Sequence, residues 1–185
     1  MKYYLNLLVL TLKIINMKKV LFAAIAVMAF GVSNAQDQTK QGKLLIEANT
    51  GNAMLGSTGF FYTSSDGESS YNIGFDGGYF IKDNLALKAG IGFGGDSFDD
   101  SSILSYRLGA KYYAMSKIPV TIDLTGASIK DAVENPMWLG IGAGYAWFLG
   151  QNVSIEPGFR YNHSLNENFT DKGVFQLNVG FALYF

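Results

Sequence analysis

Few side chains in this 185-residue chain are placed to do chemistry. There is no cysteine, so thiolate metal sites, cysteine nucleophiles and disulfides are excluded together. The single histidine, His163, stands beside Ser164. Such a pair makes a nucleophile only when a third group orients the base, and nothing in the spacing of Glu167 or Asp171 brings either acid to it. The plainer reading of His163 is a strand-end residue. Gly90-Ile-Gly92-Phe-Gly94-Gly95 matches G-x-G-x-x-G in form, but a dinucleotide fingerprint needs a helix next, whose N-terminus binds pyrophosphate. The residues after Gly95 form an acidic loop with no helical period. Its Asp96, Asp99 and Asp100 could offer oxygen ligands to a divalent cation, yet they lack the EF-hand spacing and its glycine and read as a solvated acidic surface. The sequence therefore assigns no catalytic, cofactor-binding or metal site.

The remaining ionisable groups are more orderly. Glu47, Asp76, Lys88, Arg107, Lys111, Asp123, Glu156 and Arg160 are four acids and four bases, and all fall on one face of segments that alternate with period two. That face also carries Gly74, Gly78, Gly90, Gly92, Gly109, Gly140, Gly142, Gly144, Gly158 and Gly180; the other carries residues such as Leu87, Ile91, Leu108, Ile122, Ile141, Phe159 and Leu177. Glycine is disfavoured inside strands because it costs backbone entropy and packs nothing. Side chains have been excluded from the charged face for a reason.

Eight strands must position these residues: 43–51, 71–81, 85–94, 102–114, 119–126, 137–149, 153–163 and 173–185. Their lengths suit tilted membrane-spanning strands. Short turns at 82–84, 115–118 and 150–152 alternate with longer polar loops at 52–70, 95–101, 127–136 and 164–172, as in outer-membrane barrels. Aromatic pairs precede each short turn and end the chain: Tyr79-Phe80, Tyr112-Tyr113, Trp147-Phe148 and Tyr184-Phe185, at steps of 33, 35 and 37 residues. At one height on alternate strands, Tyr79, Tyr112, Trp147 and Phe185 form a periplasmic aromatic girdle. Tyr71, Phe93, Tyr106 and Phe175 supply a second at the other end.

Residues 1–35 read as a cleavable signal peptide: Met17-Lys18-Lys19, an apolar run over 20–32, and Ser33-Asn34-Ala35 before Gln36. Met17 is the expected true start, and residues 36–185 form the one further domain. Four of the 14 Lys and Arg precede residue 36 and none of the 15 Asp and Glu do, so the mature charge is 10 minus 15, or −5. No nucleic-acid partner is expected. Nine of the acids lie in the long loops against Lys130 and Lys172, which makes those loops acidic.

The glycine decides which face is inside. A soluble barrel would crowd its outer face with long hydrophilic side chains. The interior of an eight-stranded barrel is just wide enough for side chains to fill, so long residues at some levels require glycine at others. The aliphatic face then meets lipid, where only a closed sheet leaves no backbone group unpaired. Four charges of each sign predict ion pairs, Lys88 with a carboxylate across the lumen, because paired charges largely offset a desolvation penalty that lone ones do not.

The segment from Gly78 to Leu87 and the terminal FQLNVGFALYF resemble the small outer-membrane β-barrel domain family of Gram-negative bacteria, which includes eight-stranded proteins of the OmpX and OmpA type, over essentially all of 36–185. The resemblance implies an all-β, eight-stranded, antiparallel up-and-down transmembrane barrel in the cell outer membrane. It implies outer-membrane lipids and the barrel-assembly machinery as partners, with Phe185 as assembly signal. The expected protein is a non-enzymatic monomer with a side-chain-filled lumen and acidic extracellular loops, serving envelope integrity or surface interaction through an unknown extracellular ligand. A narrow passive pore for ions or small solutes is the alternative, and a lipid-modifying enzyme using His163 a third.

Overall fold

β-branched and aromatic residues at every second position favour extended chain that half-buries one face. The computed structural model describes residues 37–97 and 101–185; the leader, Met17, Asp99 and Asp100 lie outside them. The described residues form ten strands and one 3-10 turn. They are β1 (Leu44–Asn49), β2 (Phe61–Ser65), β3 (Glu68–Lys82), β4 (Leu85–Asp96), β5 (Ser101–Ala114), β6 (Ile118–Ile129), β7 (Met137–Gly144), β8 (Trp147–Phe148), β9 (Val153–Ser164) and β10 (Val174–Tyr184), with the turn at Ala53–Leu55.

Neighbouring strands pair antiparallel in the order β1-β10-β9-β7-β6-β5-β4-β3, and β1 also pairs with β3, which closes the sheet into an eight-strand barrel. β8 continues the line of β7 beyond a break at Tyr145 and Ala146. The expectation of one strand over 137–149 is corrected by that break, where Ala146 N donates to Lys117 O at 2.7 Å rather than to a ladder partner. The stretch 52–70 is not a single loop: it holds the 3-10 turn, β2 and the start of β3. β2 and β3 form a hairpin over the two-residue turn Asp66-Gly67, whose φ angles of 52° and 87° are those a tight hairpin requires.

The barrel is inside out. Ile73, Phe75, Leu108, Ile122 and Ile141 are exposed on the outer wall, whereas Asp76, Lys88, Arg107, Lys111, Glu156 and Arg160 are buried on the inner wall. That polarity belongs to a barrel whose outer surface faces hydrocarbon. Tyr79, Tyr112 and Phe185 are exposed at the short-turn end and Trp147 is half-buried there. Tyr71, Phe93, Tyr106 and Phe175 are exposed toward the other end.

Candidate functional site

Among the described residues the lumen gathers the buried ionisable side chains, and it is filled in layers. At the short-turn end the chain entering β1 lies over the opening. Gln38 and Thr39 are buried there; Gln38 Nε2 donates to Gly150 O (2.9 Å), Thr39 Oγ1 to Asn84 Oδ1 (2.6 Å), and the backbone amide of Gln41 to Asp83 Oδ1 (2.9 Å). Above this cap, Phe80, Tyr113, Phe148 and Tyr184 meet at ring-centroid distances of 5.6–6.4 Å. Each is one member of an aromatic pair, the second in three pairs and the first, Tyr184, in the last, turned inward because neighbours on a strand point to opposite faces. The sequence reading assigned one member of each pair to the girdle and gave the other no role, although period two turns that other residue inward, into this layer.

Next comes a chain of ion pairs with strictly alternating sign. Arg160 binds Asp123 through both terminal guanidinium nitrogens (2.7 and 2.5 Å), and Asp123 lies 3.6 Å from Arg107 Nε. Arg107 Nη1 reaches Asp76 at 2.7 Å, and Asp76 lies 3.0 Å from Lys88 Nζ. Lys88 is 3.1 Å from Glu47, Glu47 is 2.6 Å from Lys111, and Lys111 is 2.5 Å from Glu156. All eight charges singled out in the sequence thus join one connected run. Glu156 ends it by accepting from the hydroxyls of Ser154 (2.8 Å), Tyr113 (2.9 Å) and Tyr184 (2.8 Å), which ties the ion-pair layer to the aromatic one. One expectation is corrected. Lys88 pairs with Asp76 on the adjacent strand and Glu47 on the next, not across the lumen; the residue that crosses is Lys111, whose two partners each lie three strands away.

Strand register explains the glycines. Asp76 and Arg107 both lie opposite Gly90 of the strand between them, and they pair over it. Lys88 and Asp123 flank Gly109, and Arg160 crosses β7, where Gly140 and Gly142 stand, to reach Asp123. A Cβ on Gly90 would collide with the Asp76 carboxylate, and one on Gly140 with the Arg160 guanidinium. Glycine here is the floor beneath ion pairs that skip a strand, which is more specific than general crowding.

The mouth at the long-loop end is blocked by main chain. Residues 50–59 turn inward, and wall side chains from four strands receive their carbonyls: Trp138 Nε1 donates to Met54 O (3.2 Å), Asn162 Nδ2 to Leu55 O (2.6 Å), Arg107 Nη2 to Gly56 O (3.3 Å) and Asn72 Nδ2 to Gly59 O. Thr58 is fully buried and its hydroxyl donates to Asp76. A Cβ on Gly74 would collide with the Thr58 carbonyl, so this wall glycine accommodates a loop, not a side chain. No periodic signal in the sequence marks residues 50–59 as inserted. A polar cavity of about 50 Å³ lies beside Asn49, Asn178, Gly158 and the charge chain, with room for a few water molecules.

The chemistry candidates do not assemble. His163 points outward while Ser164 is buried on the inner side of the same strand, so the wall separates them; Glu167 and Asp171 are exposed in the loop beyond β9. Gly90 to Gly95 lie wholly within β4, and the next element is a strand, not a helix. Among the described residues no group of three acids or histidines is placed to hold a metal ion.

No protein-family model and no curated protein matches the chain. Among solved structures it is similar to the N-terminal β-barrel domain of Pseudomonas aeruginosa OprF, at 17% identity and TM-score 0.43 over 78% of this chain and 98% of that one. It is also similar to the Yersinia pestis outer membrane protein Ail, at 14% identity and TM-score 0.46 over 78% and 100% of the two chains. Neisserial surface protein A gives 16% identity and TM-score 0.44 over 77% and 96%. By its own strand order, closure and inside-out polarity, the chain has the fold of the small eight-stranded barrels of Gram-negative outer membranes.

Proposed function

We propose that this chain is a non-enzymatic integral protein of the outer membrane that acts as a sealed barrel, serving envelope integrity or surface interaction through its acidic outer loops. The observation that carries this reading is the occupied lumen. A cap of residues 38–41, four inward rings, eight mutually paired charges and an inserted loop fill the lumen, and the cavity beside Asn178 has room for a few waters. A lumen filled in this way leaves no open path for a solute through its centre. Outer-membrane lipids contact the exposed aliphatic belt, the assembly machinery reads the strand ending in Phe185, and the barrel acts as a monomer. The narrow pore is the second reading, favoured only by the polar cavity beside Asn178. Recovery in the outer-membrane fraction, with gel migration that changes on heating, is the expected result; purification as a soluble periplasmic protein would refute the proposal.

A further inference from the structure

β1 is an interrupted strand. It pairs with β3 so that Glu47 lies opposite Asp76, and β2 pairs with β3 so that Phe61 lies opposite Asn72. Carrying the first register forward sets Asn49 opposite Gly74, which leaves Phe60 opposite Ile73 as the next rung. Residues 50–59 are therefore an insertion between two halves of one barrel strand. Phe60 N donating to Asn49 O at 2.7 Å closes the joint.

On its other side this strand is only half paired. β10 pairs with β1 from Tyr184 to Gly180, but β2 pairs with β3 alone, so residues 174–178 of β10 have β9 on one side and no strand on the other. The two facing edges are complementary. Val179 N donates to Thr50 Oγ1 and Val179 O accepts from Thr50 N, each at 3.0 Å, so Val179 directs its backbone groups toward the β1 side. Alternation along an antiparallel strand makes Leu177 and Phe175 do the same. The two-residue turn at Asp66-Gly67 commits Ser65, Thr63 and Phe61 to β3, which turns the backbone groups of Tyr62 and Ser64 toward β10. Continuing the β1–β10 register across the insertion sets Tyr62 opposite Leu177 and Ser64 opposite Phe175.

The side chains agree with that register. Tyr62 and Leu177 both lie on the outer face, 70% and 81% exposed. Leu177 is two residues nearer the barrel centre than Phe175, at a depth where hydrocarbon strongly disfavours an unpaired peptide group. β2 and β10 run in opposite directions and can pair directly. A foreign strand between them would have to lie parallel to one.

We propose that β2 is a strap that closes onto residues 174–178 of β10 in the bilayer, making β1 and β2 one continuous barrel strand. Thr50, bonded twice to Val179, is the wedge that holds the seam open. Closure releases that wedge and leaves residues 50–59 held by their lumen contacts alone. The proposal rests on the membrane reading above, and heat-dependent gel migration of each variant tests that reading separately.

Because the chain has no cysteine, an introduced pair supplies the only thiols. The double variant Y62C/L177C, refolded into phosphatidylcholine vesicles and oxidised with copper phenanthroline, is compared with I46C/L183C. The latter spans the existing β1–β10 ladder at a pair that also faces outward. Opposed residues of this kind sit about 5.5 Å apart at Cα, within disulfide reach. The expected result is a cross-linked yield within about twofold of the control, with Y62C/F175C about tenfold lower, since a two-residue offset breaks the register. A Y62C/L177C yield no higher than that of Y62C/F175C overturns the proposal while leaving the membrane reading intact. Amide exchange in the unaltered protein decides independently of whether the thiol variants refold. Protection of Leu177 equal to that of Phe181 supports closure, and exchange as fast as in residues 165–173 overturns it.

Discussion

Replacing Lys111 with methionine should cost this barrel about 3–5 kcal/mol, because it leaves buried carboxylates without a cation they were folded around. Lys111 is 1% exposed and contacts Glu47 at 2.6 Å and Glu156 at 2.5 Å. The loss falls toward the lower end of that range because neither acid is stripped bare. Glu47 retains Lys88 at 3.1 Å, and Glu156 retains the hydroxyls of Ser154, Tyr113 and Tyr184. Methionine preserves most of the aliphatic volume, so the change isolates charge from packing. The assay is urea unfolding in lipid vesicles followed by the fluorescence of Trp138 and Trp147, the only tryptophans in the chain. A second variant, K111M/E156Q, removes one stranded charge and should recover about 1–3 kcal/mol of the loss, the usual coupling between contacting groups. A loss below about 1 kcal/mol for K111M, as expected of a solvated surface pair, would show that the lumen is wet and the charge chain does not hold the wall together.

Gly140→Ala places a Cβ against the Arg160 guanidinium and should destabilise by about 1–3 kcal/mol, as overpacking does; G140A/R160A should lose less than the sum of the two single changes in the same urea experiment. Tyr184→Ala empties the centre of the inner aromatic layer and removes a donor to Glu156, for a loss of about 3–5 kcal/mol. His163→Ala should leave stability within about 0.5 kcal/mol, because the side chain is exposed on the outer wall. Purified wild-type protein should show no activity on envelope lipids, and an activity abolished in H163A would revive the enzymatic reading.

Strand positions and faces were legible in the sequence because period-two alternation is a local property and short turns fix where it restarts. The same alternation placed Glu47, Asp76, Lys88 and their five companions on one wall. Their partners were not legible, since a pairing such as Lys111 with Glu156 depends on register summed over three strands and on barrel closure. Part of that register was within reach: counting outward from the three-residue turn at 82–84, Ile81 with Leu85, sets Asp76 opposite Gly90, and the register shift between Phe80 and Lys82 produces that pairing. The inward loop was out of reach for a different reason. Residues 50–59 are held by carbonyls, whose positions leave no trace in side-chain pattern. The clue lay in the receiving wall, where Gly74 faces the Thr58 carbonyl and Asn72 and Asn162 supply donors. β2 was read as part of a loop because its residues, FYTSS, lack the aliphatic alternation of the other strands.

The central claim is that the lumen is sealed, and single-channel recording of refolded protein in a planar bilayer tests it most directly. Protein whose gel migration changes on heating should insert and give no steady current above baseline. A sustained open-channel current carried by the unaltered chain would contradict the account, since the cap of residues 38–41, the ring layer, the charge chain and the inserted loop would all have to stand aside at once.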